Sequence, residues 1–282
     1  MSWWQSAVLG VVEGLTEYLP VSSTGHLILT QRALGMQASA ASNAYAITIQ
    51  TGAIAAVLGL YRERILQLLR GVLGKDPAGR AMTVNVIVGF VPAAVLGLAL
   101  GKTIKRYLFG LWPVTAAWLV GGVAILAVTA LQRRKGTGGA EGASLEAMTV
   151  RHALIVGCAQ CLAMWPGTSR SLVTIVGGVL AGLSTAAAVE FSFLLGLLTL
   201  SAAAAHDVAE DGRVLLASYG PVDLAVGFVT AMASAFVAVR WMVDYLKRKG
   251  LAVFGYYRIA LALVVGALLL AGVLDPGTAP AH

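Results

Sequence analysis

Residues 12–29, VEGLTEYLPVSSTGHLIL, bring together side chains of the kind that handle phosphate. Glu13 and Glu17 stand four apart, on one face of a helix. Two carboxylates so placed repel unless one is protonated or a cation lies between them. A hard divalent ion, Mg²⁺ or Ca²⁺, fits that need and also binds phosphate oxygens. Ser22, Ser23 and Thr24 follow Pro20, and His26 comes one turn later. A second turn, Pro166-Gly167-Thr168-Ser169-Arg170-Ser171, adds more hydroxyls and a guanidinium whose fork matches phosphate oxygens. Hydroxyl residues at helix starts serve as caps. The same helix starts also turn free N–H groups and a positive dipole end toward an anion. Acids for a metal or a base, a hydroxyl nucleophile, a histidine acid/base and an arginine for phosphate charge are equipment for phosphoryl transfer. A plainer account makes Glu17–Arg170 a buried ion pair that ties two segments together. It leaves Glu13, His26 and the serines unexplained. A charge at a helix centre in lipid costs about 2.5–3.5 kcal/mol, so three such residues at depth imply use.

The elements that must position these groups are membrane elements. The chain is 58% hydrophobic and 12% charged, with a mean hydropathy of +0.82, against about 25% charged in soluble domains. Met1-Ser2-Trp3-Trp4 lacks a basic leader and Glu13 interrupts the first apolar run, so no signal peptide is expected. The net charge of +7 does not indicate nucleic acid, because most basic residues sit in short segments between apolar runs. A phosphate site inside such a protein implies a lipid-linked phosphate. Cys158 and Cys161 lack the partners of a zinc site and are expected to be small buried side chains.

Apolar runs long enough to span lipid cover 44–61, 82–101, 112–131, 186–205, roughly 222–243 and roughly 254–274, the last two with a charge near one end (Asp223, Asp244, Arg258). Polar loops are expected at 62–80, 102–107, 132–150, 206–213 and 244–250. Residues 2–35 and 152–183 are different. Each is a pair of apolar segments too short to cross, broken at Pro20 or Pro166, and each reads as a re-entrant hairpin. GVVEGL from Gly10 and GCAQCL from Gly157 share a pattern, and each precedes a proline and a hydroxyl-rich turn. The fold class is therefore an all-α polytopic membrane protein of six transmembrane helices and two re-entrant hairpins, built as a repeat. One membrane domain, 1–282, would contain halves 1–131 and 150–282, joined by a Gly-rich cytoplasmic loop, 132–149. With the N-terminus outside, segments 62–80, 132–151 and 240–258 face the cytoplasm with 5, 4 and 5 Lys/Arg. The outside holds only Arg32, Lys102, Lys105, Arg106 and Arg213. Three spans after each hairpin make the topology inverted, and the two hairpin tips can meet near the midplane.

VEGLTEYLPVSSTGH and PGTSRSLVT closely resemble the two signature motifs of the bacterial undecaprenyl-diphosphatase family, also called the bacitracin-resistance protein family. The likeness extends through VGFVPAA (88–94) and EFSFLL (190–195). It implies a divalent-cation-dependent hydrolase that converts the C55 isoprenyl diphosphate carrier of cell-wall synthesis to the monophosphate and inorganic phosphate. The implied site is in the bacterial inner (plasma) membrane, open to the outer, periplasmic side. Carried over, Glu13 and Glu17 are the paired acids, Ser23 and His26 the catalytic serine and histidine, and Ser169, Arg170 and Thr174 the second motif. With the turn hydroxyls, Ser22, Thr24, Ser169, Arg170, Ser171 and Thr174 would bind the substrate phosphates. Two departures stand out. Tyr45-Ala46 replaces the Phe-Glu of many members, so an acid there is not essential, and Leu172-Val173 replaces a smaller pair. Whether Ser23, His26 or water attacks stays open, as does oligomeric state, a homodimer included. Gln160 and Glu190 read equally as partners of the site or as packed polar groups, and Asn85 as an interhelical hydrogen-bond former. The competing class is an inverted-repeat transporter or flippase of a phosphorylated lipid carrier. It would need binding groups but no Ser–His–Glu set beside an arginine.

Overall fold

A computed structural model describes residues 1–36, 39–108, 110–134 and 142–276, and its regular elements are helices. They run α1 (Trp3–Glu17), α2 (Ser23–Ala33), α3 (Ala40–Leu60), α4 (Arg62–Val72), α5 (Pro77–Leu108) and α6 (Leu111–Arg134) in the first half. The second half has α7 (Val150–Gln160), a 3-10 turn (Cys161–Met164), α8 (Arg170–Ala181), α9 (Thr185–Ser218), α10 (Pro221–Lys249) and α11 (Ala252–Leu270). Helices α5, α6, α9, α10 and α11 are long and apolar enough to cross a membrane. A sixth span results if α3 and α4, bent by 83° at Tyr61, count as one.

The two short apolar pairs break where the sequence puts proline. Pro20 has no N–H to continue α1, and Pro166 ends the 3-10 turn after α7. Two neighbouring starts are capped by serine: Ser39 Oγ accepts from the Ser42 N–H at 3.1 Å and Ser184 Oγ from the Ala187 N–H at 3.2 Å. Packing couples the halves. Helix α1 lies along α10 as α7 lies along α5; α3 packs on α10 as α9 packs on α5; α3 meets α9, and α6 meets α11. Exchanging the two halves maps this set of contacts onto itself.

Several expected loops are helical. Residues 62–80 contain α4 and the start of α5, while 102–107, 206–213 and most of 244–250 continue α5, α9 and α10. Charge marks where a helix leaves lipid, not where it ends, since backbone hydrogen bonding persists in water. Helix α4 is amphipathic: Leu66, Leu69 and Val72 are exposed on it beside Arg62, Arg64 and Arg70. Of the predicted connector 132–149, residues 135–141 lie outside the described residues. Residues 143–148 dock on the protein: Ala143 exchanges backbone hydrogen bonds with Gly182 (2.9 Å) and Ser184 (3.1 Å), and Leu145 and Met148 are buried. The cysteines depart from expectation, with Cys158 exposed and Cys161 half-buried. Cys158 lies on the outward face of α7 and Cys161 opens the 3-10 turn after it. Asn85 bonds the Met148 carbonyl at 3.0 Å, which belongs to the segment preceding α7 and not to a facing helix.

Candidate active site

The two prolines leave turns that run into α2 and α8, and both turns end in the same strained residue. Ser22 (φ 75, ψ 101) and Ser169 (φ 75, ψ 116) are the N-caps of those helices and, among the described residues, the non-glycine residues with positive φ. Such backbone costs about 1–3 kcal/mol each and persists where surrounding structure enforces it. Ser22 to Ser169 is the same interval as Gly10 to Gly157, so the strain recurs at matching places in the repeated pattern.

The turns touch. Ser171 Oγ donates to the Leu19 carbonyl at 2.9 Å, crossing from the second turn to the first. Between them lies a cavity of about 140 Å³, lined in part by Glu17, Ser22, Ser23, Thr24, Ser169 and Arg170. Ser23 Oγ donates to Glu17 Oε2 at 2.6 Å, a short charge-assisted bond. Arg170 Nη2 donates to the other oxygen of Glu17 at 3.3 Å, and Nη1 to the Ser192 carbonyl at 3.0 Å. One carboxylate thus joins the hydroxyl of one turn to the guanidinium of the other. Arg170 Nε is buried without a partner, and the guanidinium lies 5.8 Å from the Tyr18 ring centre.

The remaining predicted residues surround this core at different depths. Ser171 and Thr174 are fully buried behind the wall. Ser171 Oγ meets Ser169 Oγ at 3.0 Å, and Thr174 Oγ1 meets Ser192 Oγ at 2.6 Å. Glu13 is buried one helical turn below Glu17; it does not line the cavity, and its Oε2 has no hydrogen-bond partner. His26 is not brought into the cavity either. Its Nδ1 bonds the Ser22 carbonyl at 2.7 Å and its Nε2 the Tyr257 hydroxyl at 2.7 Å. A carbonyl only accepts, so Nδ1 carries the hydrogen; a neutral ring then accepts the phenol hydrogen at Nε2.

Sequence reasoning misses Gln50, which lines the cavity, and three residues that brace the turns. Trp118 Nε1 donates to the Val21 carbonyl at 3.0 Å, Tyr257 stacks on His26 with ring centres 5.8 Å apart, and Arg258 is fully buried beside both turns. Arg258 falls in the 240–258 segment assigned to the cytoplasm; it is fully buried within α11, so it leaves that charge count. The signal in the sequence is a charge within an apolar span, which by default marks function. Of the residues left open, Gln160 Oε1 accepts from Thr199 at 3.4 Å while its Nε2 is an orphan. Glu190 pairs with Arg64 at 2.6 Å, and the same guanidinium holds Glu146 at 2.8 Å.

A family model described as bacitracin resistance protein BacA matches residues 6–264. The chain is 49% identical over 266 residues to a protein of Sorangium cellulosum named undecaprenyl-diphosphatase, covering 94% of this chain and 86% of that one. It is 45% identical over 271 residues to undecaprenyl-diphosphatase 2 of Rhodospirillum rubrum, with 96% of each covered. It is 42% identical over 274 residues to the undecaprenyl-diphosphatase of Nitrosomonas europaea, again with 96% of each covered.

Proposed function

The chain belongs to the bacitracin resistance protein BacA family, and from that premise we propose that it is an undecaprenyl-diphosphatase. It hydrolyses the C55 isoprenyl diphosphate to the monophosphate and inorganic phosphate, returning the lipid carrier to cell-wall synthesis. The observation that carries this reading is the Ser23–Glu17–Arg170 chain of contacts across two helix starts, beside a cavity of phosphate size.

In this reading α1–α2 and α7–α8 are re-entrant hairpins of an inverted repeat, halves 1–131 and 150–282. The matched strain at Ser22 and Ser169 and the self-mapping helix contacts support it. Six spans of the bacterial plasma membrane surround the hairpins, with the cavity open to the outer side.

Ser23 is the proposed nucleophile. As its Oγ bonds the terminal phosphorus, its proton passes to Glu17 along the existing hydrogen bond, and the phosphorus–bridging-oxygen bond breaks. Arg170 and the N–H groups opening α2 and α8 hold the charge of the phosphoryl oxygens. Water then releases inorganic phosphate from the phosphoserine and the proton returns. His26 is the remaining acid–base group, and rotation of its bonded pair with Tyr257 toward the cavity would let it serve that water. A divalent cation shared with substrate would be held by Glu17 at the cavity wall, with Glu13 one turn behind it. Glu13 has an orphaned carboxylate oxygen beside Glu17, and Mg²⁺ needs only one or two carboxylates when phosphates complete its shell. When bound, Mg²⁺ or Ca²⁺ would neutralise diphosphate charge at Glu13 and Glu17.

The test is phosphate release by purified protein from undecaprenyl or farnesyl diphosphate, with and without chelator. Release that stops with chelator and returns with Mg²⁺ or Ca²⁺ is expected. Substrate binding without release would overturn the phosphatase in favour of a carrier.

A further inference from the structure

We propose that Arg258 is a positioning residue of the active site: one guanidinium on α11 that locks the two hairpin turns in register. The proposal rests on the phosphatase reading of that site. Arg258 donates from Nη1 to the Pro20 carbonyl at 3.3 Å and from Nη2 to the Gly167 carbonyl at 2.9 Å. Pro20 and Gly167 each stand two residues before a strained N-cap, Ser22 or Ser169. A single side chain therefore binds equivalent carbonyls of the two turns. Its other bonds, Nη2 to Ala117 O at 2.8 Å and Nε to Trp118 O at 3.4 Å, fix it to α6. The same stretch of α6 sends Trp118 to the Val21 carbonyl.

Among the described residues no carboxylate pairs with Arg258, although it is fully buried. Four carbonyls satisfy it and none cancels its charge. Removing a cation from water without a counter-ion is unfavourable, so the site needs what this cation supplies. A planar fork can hold carbonyls on two separate turns together, which a single ammonium cannot. Gly167 also lines the cavity, so the fork bonds directly to a carbonyl of a residue in the cavity wall. Space for the guanidinium comes from Gly121, where an added Cβ would fall 2.8 Å from Arg258 Cζ.

Arg258→Lys and Arg258→Met are the first variants, assayed on farnesyl diphosphate with melting temperature measured alongside. Positioning predicts kcat per folded enzyme reduced about 10- to 100-fold in both, with KM changed far less, as for loss of one or two charge-assisted contacts. A purely structural arginine predicts a lower melting temperature with kcat of the folded fraction preserved, and that result overturns the proposal. If Arg258→Met does not fold, Gly121→Ala keeps the charge and displaces the fork; it should lower kcat in the same direction and add little to Arg258→Lys. Near-normal kcat in Gly121→Ala and Arg258→Lys together also overturns it. If the wild type releases no phosphate, the phosphatase reading fails and the clamp is judged on geometry. Cysteines at Thr24 and Ala163, on facing hairpins, are bridged by a short bifunctional thiosulfonate in a Cys158→Ala/Cys161→Ala background. Bridging should fall sharply with Arg258→Lys, and unchanged bridging refutes the clamp.

Discussion

Glu17 has two masters: one oxygen takes the Ser23 hydrogen and the other the Arg170 guanidinium. Glu17→Gln keeps the shape and removes the proton acceptor, so phosphate release should fall at least about 100-fold, the scale of general-base loss. The protein should still insert and fold. Wild-type turnover by this variant at saturating Mg²⁺ would remove Glu17 from the chemistry. Arg170 separates two roles for a buried pair. If its fork holds phosphoryl oxygens, Arg170→Lys should fail almost as badly as Arg170→Ala, with the loss in kcat, because an ammonium cannot span two oxygens. If it only tethers Glu17, Lys should retain most activity and Ala should mainly lower the melting temperature. Measuring both quantities on both variants decides between them.

At the scale of elements, hairpin α1–α2 is held by the tight seam of α1 on α10. A Cβ added at Gly14 would run into the Ala231 carbonyl oxygen and Ser234 Oγ. In lipid, where apolar burial between helices drives little, such close backbone approach supplies the packing. Gly14→Leu should therefore cost about 1–3 kcal/mol or more through overpacking and lower the melting temperature by several degrees. Turnover should fall too, since Glu13 and Glu17 ride on that helix. Gly59→Ala, with nothing within 4 Å of the added atom, is the control. Equal melting of Gly14→Leu and wild type would mean that the seam does not hold the hairpin.

For the whole molecule the inverted arrangement makes a sidedness prediction. Exposed Lys75, between α4 and α5, and Ser218, at the end of α9, should lie on opposite faces of the membrane. Cysteines placed there in a Cys158→Ala/Cys161→Ala background should differ in whole cells. An impermeant maleimide should label position 218 from outside and position 75 only after the membrane is opened. Labelling of both from one side would break the inverted topology and, with it, the meeting of two hairpins that enter from opposite faces.

Composition and run length made the helical membrane class legible in the sequence, because lipid admits few ways to satisfy a backbone. The two proline breaks and the hydroxyl turns were legible for the same local reason: proline cannot continue a helix, and serine starts one. The repeat and the loop charges let the two turns meet and offered the Glu17–Arg170 pair, but local pattern could not say how the other side chains there would be bonded. Tertiary structure decided that Ser23 and Arg170 share one carboxylate, that His26 turns to Tyr257, and that Cys158 faces outward. It also moved Arg258 from an apparent loop charge to the point where both turns converge. Each of these depends on helices far apart in the chain, and hydropathy, which averages along a segment, cannot tell which face of a helix meets a neighbour.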